Sequence, residues 1–425
     1  MLHLQFPCGK GYKEIDLPQE QVKAVLTSEL ERYRPDHSDA ELVRLALENP
    51  IGSQPLRQLS CGKKKVTIIA SDHTRPVPSK LLMPALLKEI RAGNPEADIT
   101  ILIATGCHRE TTREELVAKF GEEIVAKEKI VVHDCDDVEN MVLLGTLPSG
   151  GECWVNRLAC QADLLVSEGF IEPHFFAGYS GSRKAVLPGV AGRSTVLANH
   201  CAEFIDHPAS RAGSLKENPI QRDMVWAARK AGLAFILNVV LNGEKETIHA
   251  VAGDMEAAHE AGCAFLESLC GVKAAMADIV ITTNGGYPLD QNIYQAVKGM
   301  TAAEATVKED GVIIMLSKSN DGHGGAAFCR ELMAGDDMDA LMADILRRGR
   351  GETLPDQWQA QIMIRILQRA RVIYISDAED ALVEKLHMTP AHSLEEAIVL
   401  ARQMVGKDDA QITAIPDGVG VIVHS

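Results

Sequence analysis

The sequence predicts an α/β fold built from two Rossmann-like domains, with mostly parallel sheets and an active-site cleft between the domains. Three observations lead to this prediction. The chain has 425 residues, which is more than one hydrophobic core normally holds. Short aliphatic runs alternate with segments of helical periodicity. Aromatic residues make up only 4% of the chain, so the core has to be aliphatic, as in sheets buried on both faces.

The first part of the chain repeats a strand-and-helix pattern, which is typical of parallel sheets with crossover helices. The predicted strands are 66–70, 98–106, 129–134, 162–169, 235–242 and 247–254, and the predicted helices are 78–93, 112–129 and 255–270. Thr112 is followed three positions later by Glu115, which predicts a capping box at the start of the second helix.

The same rhythm restarts further along the chain, which predicts a second domain. Its predicted strands are 277–286, 311–317 and 370–376, and its predicted helices are 290–309, 324–348 and 356–369. We place the domain boundary near 271–276, giving an N-terminal domain of 1–270 and a C-terminal domain of 277–407. The tail, 408–425, carries a last strand that could belong to either domain.

Charge and composition exclude several function classes. The net charge of -16 disfavours a nucleic-acid partner or an anionic membrane surface. No apolar run reaches membrane-spanning length, and the N-terminus lacks a secretory pattern, so we expect a cytoplasmic protein without a membrane partner. The ten cysteines form no CxxC pair, which argues against a zinc cage or a disulfide framework.

Polar residues follow two of the predicted strands, where open parallel sheets bind their ligands. Asp72 and Arg75 come after the first strand, and an arginine there is a common fork for carboxylate or phosphate. Thr105 and Gly106 predict a tight turn after the second strand, with backbone N–H groups that can meet an anion, and His108 projects from it. The ordinary alternative is a pair of solvated loops with helix-capping residues.

The glycine-rich stretch 172–192 follows the fourth strand and contains His174 and Lys184, with His200 eight residues beyond it. Lys184 does not fit the phosphate-loop motif, because no glycine precedes it and no hydroxyl follows it. The glycines predict close approach of the backbone to a bulky group. These histidines and His108 are too few for an all-protein metal site, which suggests that a cofactor supplies the remaining ligands.

The second domain offers Gln295 and Lys298, three residues apart on one helix face, with Tyr294 beside them. On their own these three residues are most simply a solvated helix face.

Five motifs in the same order along nearly the whole chain resemble the nickel-pincer lactate racemases. They are "SDHTRPVP", "TGCHRETT", "PHFFAGYSGSRKAVLPGVAG", the Asn199–His200 pair and "DQNIYQAVKGM". The resemblance implies a racemase or epimerase of a 2-hydroxy acid. It also implies a pyridinium-3-thioamide-5-thiocarboxylate mononucleotide that holds Ni(II), and maturation proteins that synthesise this cofactor.

The resemblance also implies a role for each matching residue. Lys184 corresponds to the tethering lysine, and His200 corresponds to the protein ligand of nickel. His108 and His174 correspond to the two acid/base histidines. The substrate-anchoring residues correspond to Arg75, Gln295 and Lys298, and Asp72, Tyr294 and Trp358 fall near the cofactor in the same comparison.

The implied chemistry explains why two histidines are needed. The Cα–H of a 2-hydroxy acid is a very weak acid, and its removal as hydride avoids a dianion. Inversion then needs one acid/base group on each face of the planar 2-oxo acid. Lactate or another small monoacid is the expected substrate, while aromatic, diacid or sugar-acid substrates stay open. A non-catalytic nucleotide or sugar-phosphate binding protein is the alternative from another class.

Overall fold

Two six-stranded sheets organise the chain in the computed structural model, which describes residues 1–424. In chain order the strands are β1 (Leu2–Cys8), β2 (Gly11–Leu17), β3 (Val22–Val25), β4 (Lys65–Ser71), β5 (Asp98–Ala104), β6 (Lys129–Val132), β7 (Met141–Thr146), β8 (Glu152–Asn156), β9 (Leu164–Phe170), β10 (Pro173–His174), β11 (Gly178–Tyr179), β12 (Leu233–Leu241), β13 (Thr247–Gly253), β14 (Gly271–Lys273), β15 (Ala277–Thr283), β16 (Val307–Leu316), β17 (Ala370–Ile375), β18 (Thr389–Ala391), β19 (Ile412–Ile415) and β20 (Ile422–His424).

Helices separate most of these strands, as the sequence predicts for crossover connections. They are α1 (Asp39–Glu48), α2 (Leu56–Leu59), α3 (Ser79–Gly93), α4 (Arg113–Phe120), α5 (Glu122–Lys127), α6 (Arg157–Cys160), α7 (Arg193–Asn199), α8 (Ala202–Asp206), α9 (Pro219–Ala231), α10 (Ala257–Cys270), α11 (Ile293–Glu304), α12 (Ala326–Leu332), α13 (Met338–Leu346), α14 (Gln357–Arg369), α15 (Asp380–Lys385) and α16 (Leu394–Val405). Within residues 1–424, none of them combines the length and the apolar character needed to cross a bilayer.

The chain divides into two compact units. The central unit comprises residues 30–200 and 207–268, and the terminal unit comprises 1–29, 201–206 and the chain from 269 onward. The sheet of the central unit has the order β13-β12-β9-β4-β5-β6, in which β13 alone is antiparallel to its neighbour. The sheet of the terminal unit has the order β18-β17-β16-β15-β19-β3, and all of its strand pairs are parallel. The predicted α/β class with mostly parallel sheets is confirmed.

The division into units differs from the predicted boundaries at the N-terminus. The hairpin β1–β2 buries Phe6 and Ile15 in the same core cluster as Ile281 and Ile314 of the terminal unit. In addition, β3 pairs with β19. Residues 1–29 therefore belong with the C-terminal sheet, because their apolar side chains are buried there rather than against the central sheet.

The tail also lies in the terminal unit, which decides between the two placements that the sequence left open. Strand β19 lies between β15 and β3, and β20 pairs with β14. The Asp278 carboxylate accepts the N–H of Gln411 at 3.1 Å and an ammonium N–H of Lys407 at 2.7 Å. These contacts join the segment before β19 to the start of β15.

Two predicted helices are each broken into two. The predicted helix 112–129 is interrupted at Gly121, whose φ of +86° lies outside the helical region, and forms α4 and α5. The predicted helix 324–348 ends at Leu332 and restarts as α13, where the Asp337 side chain caps the N–H groups of Asp339 and Ala340. The predicted capping box of Thr112 and Glu115 is confirmed.

Candidate active site

Neighbouring strands bring the first two groups of predicted site residues together. Strands β4 and β5 pair in parallel up to Ser71 and Ala104, so the loops that follow them start side by side. Asp72 and His108 extend from these loops, and the Asp72 Oδ2 lies 2.7 Å from the His108 Nδ1. The sequence identified both residues but did not predict this contact, because it depends on the register between the two strands.

Asp72 is suited to hold His108 in one orientation. The carboxylate is only 1% exposed, and it also accepts hydrogen bonds from the Thr74 hydroxyl at 2.6 Å and the Thr74 N–H at 3.2 Å. Burial favours a raised pKa for Asp72, but hydrogen bonds from His108 and Thr74 and the charge of Arg75 hold that pKa below its usual value. An ionised Asp72 accepts from the Nδ1–H of His108, which leaves a lone pair on Nε2.

The loop after β4 is supported by charged side chains that the sequence did not reveal. The ammonium group of Lys119 donates to the Arg75 carbonyl oxygen at 3.3 Å. Burial lowers the pKa of Lys119, while the charges of Glu168 and Asp72 favour its charged form. Glu168 is fully buried in β9, where burial raises the pKa of its carboxyl group and the Ser79 hydroxyl donates to it at 2.5 Å. Arg75 itself is exposed on this loop.

The turn after β5 differs from the expected anion site. Gly106 has a φ of +56°, as a tight turn requires, but its N–H donates to the Gly189 carbonyl at 2.9 Å. Thr105 uses its N–H for Ile103 at 3.2 Å and its hydroxyl for His133 at 2.6 Å. These donors are engaged within the protein, so the turn fixes the direction of the loop that carries His108.

His174, Lys184 and His200 come together around one aromatic ring. The Phe176 ring centroid lies 4.5 Å from that of His174 and 5.1 Å from that of His200. The Lys184 ammonium lies 5.9 Å from the Phe176 centroid and 3.3 Å from the His174 Nε2. The short pairing of β10 with β11 places His174, the 3₁₀ turn 182–185 places Lys184, and the end of α7 places His200.

His200 has the environment of a metal-binding imidazole. The residue follows α7 and is 5% exposed, and its Nδ1 lies 3.0 Å from the Val196 carbonyl oxygen. Because a carbonyl only accepts, the proton sits on Nδ1 and the lone pair on Nε2. Burial, with the nearby charge of Lys184, lowers the pKa of His200 to about 3, so the ring stays neutral. A neutral imidazole near a lysine amine fits a tethered group that binds nickel.

The glycines of this segment have a different purpose from the predicted one. A Cβ on Gly178 would lie 2.3 Å from the Ser214 carbonyl oxygen, and one on Gly189 would lie 2.3 Å from that of Ala185. A Cβ on Gly181 would lie 2.7 Å from the Asn238 Oδ1. These glycines are therefore required by packing within the protein, and clearance for a ligand is not needed to explain them.

The remaining predicted site residues lie on α11 and α14 of the terminal unit. Asn292 caps α11 by accepting the Gln295 N–H at 3.0 Å, and Lys298 lies one turn further on. The Gln295 Oε1 is buried without a hydrogen-bond partner among residues 1–424. The Tyr294 hydroxyl donates to Asp356 at 3.1 Å, and Trp358 also hydrogen-bonds to Tyr294. Gln295 thus has an acceptor that a ligand can satisfy.

Two sequence features have ordinary structural explanations. His73 lies 3.2 Å from the Thr111 hydroxyl. Within residues 1–424, the one group of three clustered metal-ligating side chains is Asp134, Cys135 and Asp136. Arg193 already binds the two Asp136 oxygens at 2.7 Å each.

Comparisons with known proteins match this chain over nearly its whole length. The family model described as "Lactate racemase N-terminal domain" matches residues 8–213, and the one described as "Lactate racemase C-terminal domain" matches residues 272–423. A lactate racemase of Thermoanaerobacterium thermosaccharolyticum is 53% identical over 425 residues, and one of Lactiplantibacillus plantarum is 51% identical over 424 residues. Both alignments cover 100% of this chain and 100% of the relative.

Solved structures agree with these relationships. The structure of the lactate racemase apoprotein from Thermoanaerobacterium thermosaccharolyticum superposes with a TM-score of 0.96 at 53% identity, covering 100% of both chains. A Thermotoga maritima protein shares the fold, with a TM-score of 0.62 at 18% identity, over 91% of this chain and 97% of that one. The predicted enzyme class, an isomerase, is confirmed, and the chain belongs to the lactate racemase family.

Proposed function

We propose that the chain interconverts the enantiomers of lactate, or of another small 2-hydroxy monoacid, with a nickel-pincer nucleotide tethered to Lys184. The curated relatives are named lactate racemase and align over their full lengths, which supports this substrate class. The observation that carries the proposal is the grouping of Lys184, His174 and His200 around Phe176.

Lys184 and His200 are the residues that would hold the cofactor. The Lys184 amine is the nucleophile for an amide-type link, and the neutral His200 imidazole offers the Nε2 lone pair to nickel. When bound, the nickel-pincer nucleotide would supply a hydride acceptor that can return the hydride to either face of the substrate. The Lys184 charge that opposes protonation of His200 is lost once the amine is acylated.

His108 and His174 are the proposed acid/base pair. The Asp72 carboxylate holds the His108 ring through Nδ1, so Nε2 can take the proton of the substrate hydroxyl. The Nδ1 of His174 accepts a hydrogen bond from the Ala177 N–H at 3.3 Å. This hydrogen bond fixes the plane of the ring and directs its Nε2 towards Lys184. Two such groups serve the two enantiomers, because each enantiomer presents its hydroxyl from a different direction.

Substrate binding is assigned to cationic and amide side chains. Arg75, on the loop after β4, supplies a fork for the carboxylate. Gln295 and Lys298 on α11 are proposed to bind the substrate oxygens. The unsatisfied Gln295 Oε1 can accept a hydrogen bond from the substrate hydroxyl group. Tyr294 and Trp358 form the hydrogen-bonded support behind these groups.

The proposal is tested with protein that is co-produced with the cofactor-synthesis enzymes. One enantiomer of lactate, and then of each acid in a panel of 2-hydroxy acids, is incubated with enzyme and resolved by chiral chromatography. We expect racemisation of lactate by the wild type, its loss in His108→Ala and His174→Ala, and its retention in the exposed-loop control His207→Ala. Mass spectrometry should find the adduct on Lys184.

Two outcomes would reject the proposal. Substantial racemisation by either His108→Ala or His174→Ala would exclude the two-base scheme. An active wild type with an unmodified Lys184 would exclude the tether. Activity on a larger 2-hydroxy acid in place of lactate would support the proposed reaction and reject lactate as the substrate.

We also propose a cytoplasmic location, with the cofactor-synthesis proteins as partners. All ten cysteines are free thiols, which is typical of a reducing compartment. Cell fractionation followed by detection of the chain tests the location.

A further inference from the structure

Arg183 lies at the centre of the loop that joins His174 to Lys184. Its side chain is 1% exposed and is among the largest fully buried side chains of the protein. The Nη2 group donates to the carbonyl oxygens of Ala177 at 3.1 Å and Tyr179 at 2.7 Å. The Nη1 group donates to those of Ser180 and Gly181, at 3.2 Å each. The loop is therefore folded around one guanidinium group.

Two helices hold this guanidinium from the other side. Its Nε donates to the Gln221 Oε1 on α9, and its Nη1 lies 2.8 Å from the His259 Nε2 on α10. Burial and the charge of Arg183 lower the pKa of His259 well below its usual value, so the His259 ring is neutral, and its Nε2 also lies 2.8 Å from the Ser180 carbonyl oxygen. The loop carbonyls are thus connected through Arg183 to two helices of the central unit.

The cost of burying this charge indicates that stability alone does not explain it. None of the six groups in hydrogen-bond contact with Arg183 is a carboxylate. Burial lowers the pKa of the guanidinium to about 10, which still leaves it charged at neutral pH. A buried charge without an ionic partner is expensive, and an apolar packing of similar volume is often as stable. The guanidinium N–H groups of Arg183 instead specify one conformation of the loop that joins His174 to Lys184.

That shape sets the positions of the two reactive side chains. The carbonyl group of Ala177 accepts from Arg183, and the N–H of the same residue donates to the His174 Nδ1. Lys184 directly follows Arg183 in the 3₁₀ turn, and its ammonium lies 3.3 Å from the His174 Nε2. Resting on the function proposed above, we propose that Arg183 is a positioning residue that holds His174 and Lys184 in register for cofactor attachment and turnover.

The variant Arg183→Lys tests this role, with Arg365→Lys as the matched control. Lysine keeps the charge but cannot donate to four carbonyls at once. Arg365 is also internal, but it pairs with the Glu304 carboxylate at 2.6 and 2.7 Å in the terminal unit. Both full-length variants are co-produced with the cofactor-synthesis enzymes. Unfolding midpoint, amide exchange, Lys184 adduct occupancy, kcat and KM for lactate are then measured.

We expect Arg183→Lys to speed amide exchange in the peptide 174–185 only. Its adduct occupancy should fall, and kcat per loaded enzyme should fall by about 10-fold or more with KM nearly unchanged. Arg365→Lys should lower the unfolding midpoint at least as much without these effects. A purely structural Arg183 would instead give uniformly faster exchange and a wild-type kcat in molecules that remain folded, and that result would overturn the proposal.

A second variant covers the case in which Arg183→Lys does not fold. Gln221→Ala removes one anchor of the guanidinium and should produce the same local exchange and a smaller loss of adduct and kcat. Unchanged exchange in 174–185 in this variant would contradict the role. If the wild type carries no adduct and racemises nothing, the proposed function fails, and local exchange alone then decides whether Arg183 shapes the loop.

Discussion

Asp72 and His108 are 36 positions apart in the sequence, yet the Asp72 Oδ2 and the His108 Nδ1 lie 2.7 Å apart. Motifs identified both residues, because polar groups after strands are visible in the sequence. Their pairing was not visible, since it requires β4 and β5 to be neighbours in one register. The contacts of Arg183 with Gln221 and His259 escaped prediction for the same reason, because they join distant segments. The support of the Arg75 loop by Lys119 escaped it for that reason too.

At this scale we predict the effect of Asp72→Asn. Asparagine offers an amide in place of the carboxylate, so its side chain no longer fixes the Nδ1–H tautomer of His108. We expect kcat/KM for lactate to fall by about 100-fold or more, with the fold intact. The control Thr74→Val removes a 2.6 Å hydrogen bond to the other Asp72 oxygen and should cost less than about 10-fold. Equal losses in both variants would contradict the role of Asp72.

Among the secondary-structure elements, the long buried strands of the two six-stranded sheets were predicted better than the helix ends and the short strands. Aliphatic runs such as 66–70 and 370–376 coincide with β4 and β17, because a buried strand needs apolar residues on both faces. The interruption at Gly121 was missed because both flanking segments are helical in pattern. The place of β19 in its sheet was also open, since it depends on contacts with distant residues such as Asp278.

The ion cluster at the start of β15 gives a pH-dependent prediction. Asp278 is partly desolvated, which favours a raised pKa, but hydrogen bonds from Lys407 and Lys308 outweigh this and lower the pKa to about 2. A lowered folded-state pKa means that the carboxylate stabilises the fold above pH 4 and loses that effect as the pH falls towards 2. Because both lysines are partly exposed, we expect Asp278→Asn to cost about 1 kcal/mol at pH 7.

Urea unfolding of Asp278→Asn and wild type between pH 7 and pH 3 checks this expectation. The difference in unfolding free energy should shrink as the pH falls, while the exposed control Asp336→Asn should differ little from wild type throughout. A difference that grows at acidic pH would show that the sign is wrong.

For the whole molecule, the distinctive feature is that both ends of the chain belong to one unit. Phe6 is fully buried in the core that contains Ile281 and Ile314, although more than 270 residues separate it from them in the sequence. The sequence correctly predicted an α/β fold with two mostly parallel sheets. It placed residues 1–29 in the N-terminal domain, whereas the structure places them in the terminal unit, because a short amphipathic hairpin can cover either sheet.

This assignment predicts which unit each core mutation weakens. Phe6→Ala should lower the free energy of unfolding by about 3–5 kcal/mol. It should also reduce amide-exchange protection in β16 and β19 while leaving β4 and β5 protected. The reciprocal control is Ile68→Ala, in the core of the central unit, which should weaken β4 and β5. Loss of protection in β4 and β5 on mutation of Phe6 would contradict the placement of the N-terminal hairpin.

The most direct test of the central claim follows the Cα hydrogen of a single enantiomer. Cofactor-loaded enzyme is incubated with L-lactate in D₂O. The products are resolved by chiral chromatography, and the deuterium content at Cα is measured by mass spectrometry. We predict D-lactate that retains its original hydrogen at Cα, because the proposed reaction moves that hydrogen as hydride and uses the histidines only for the hydroxyl proton. D-lactate carrying deuterium at Cα would show direct deprotonation, and the absence of any D-lactate would contradict the assignment as a lactate racemase.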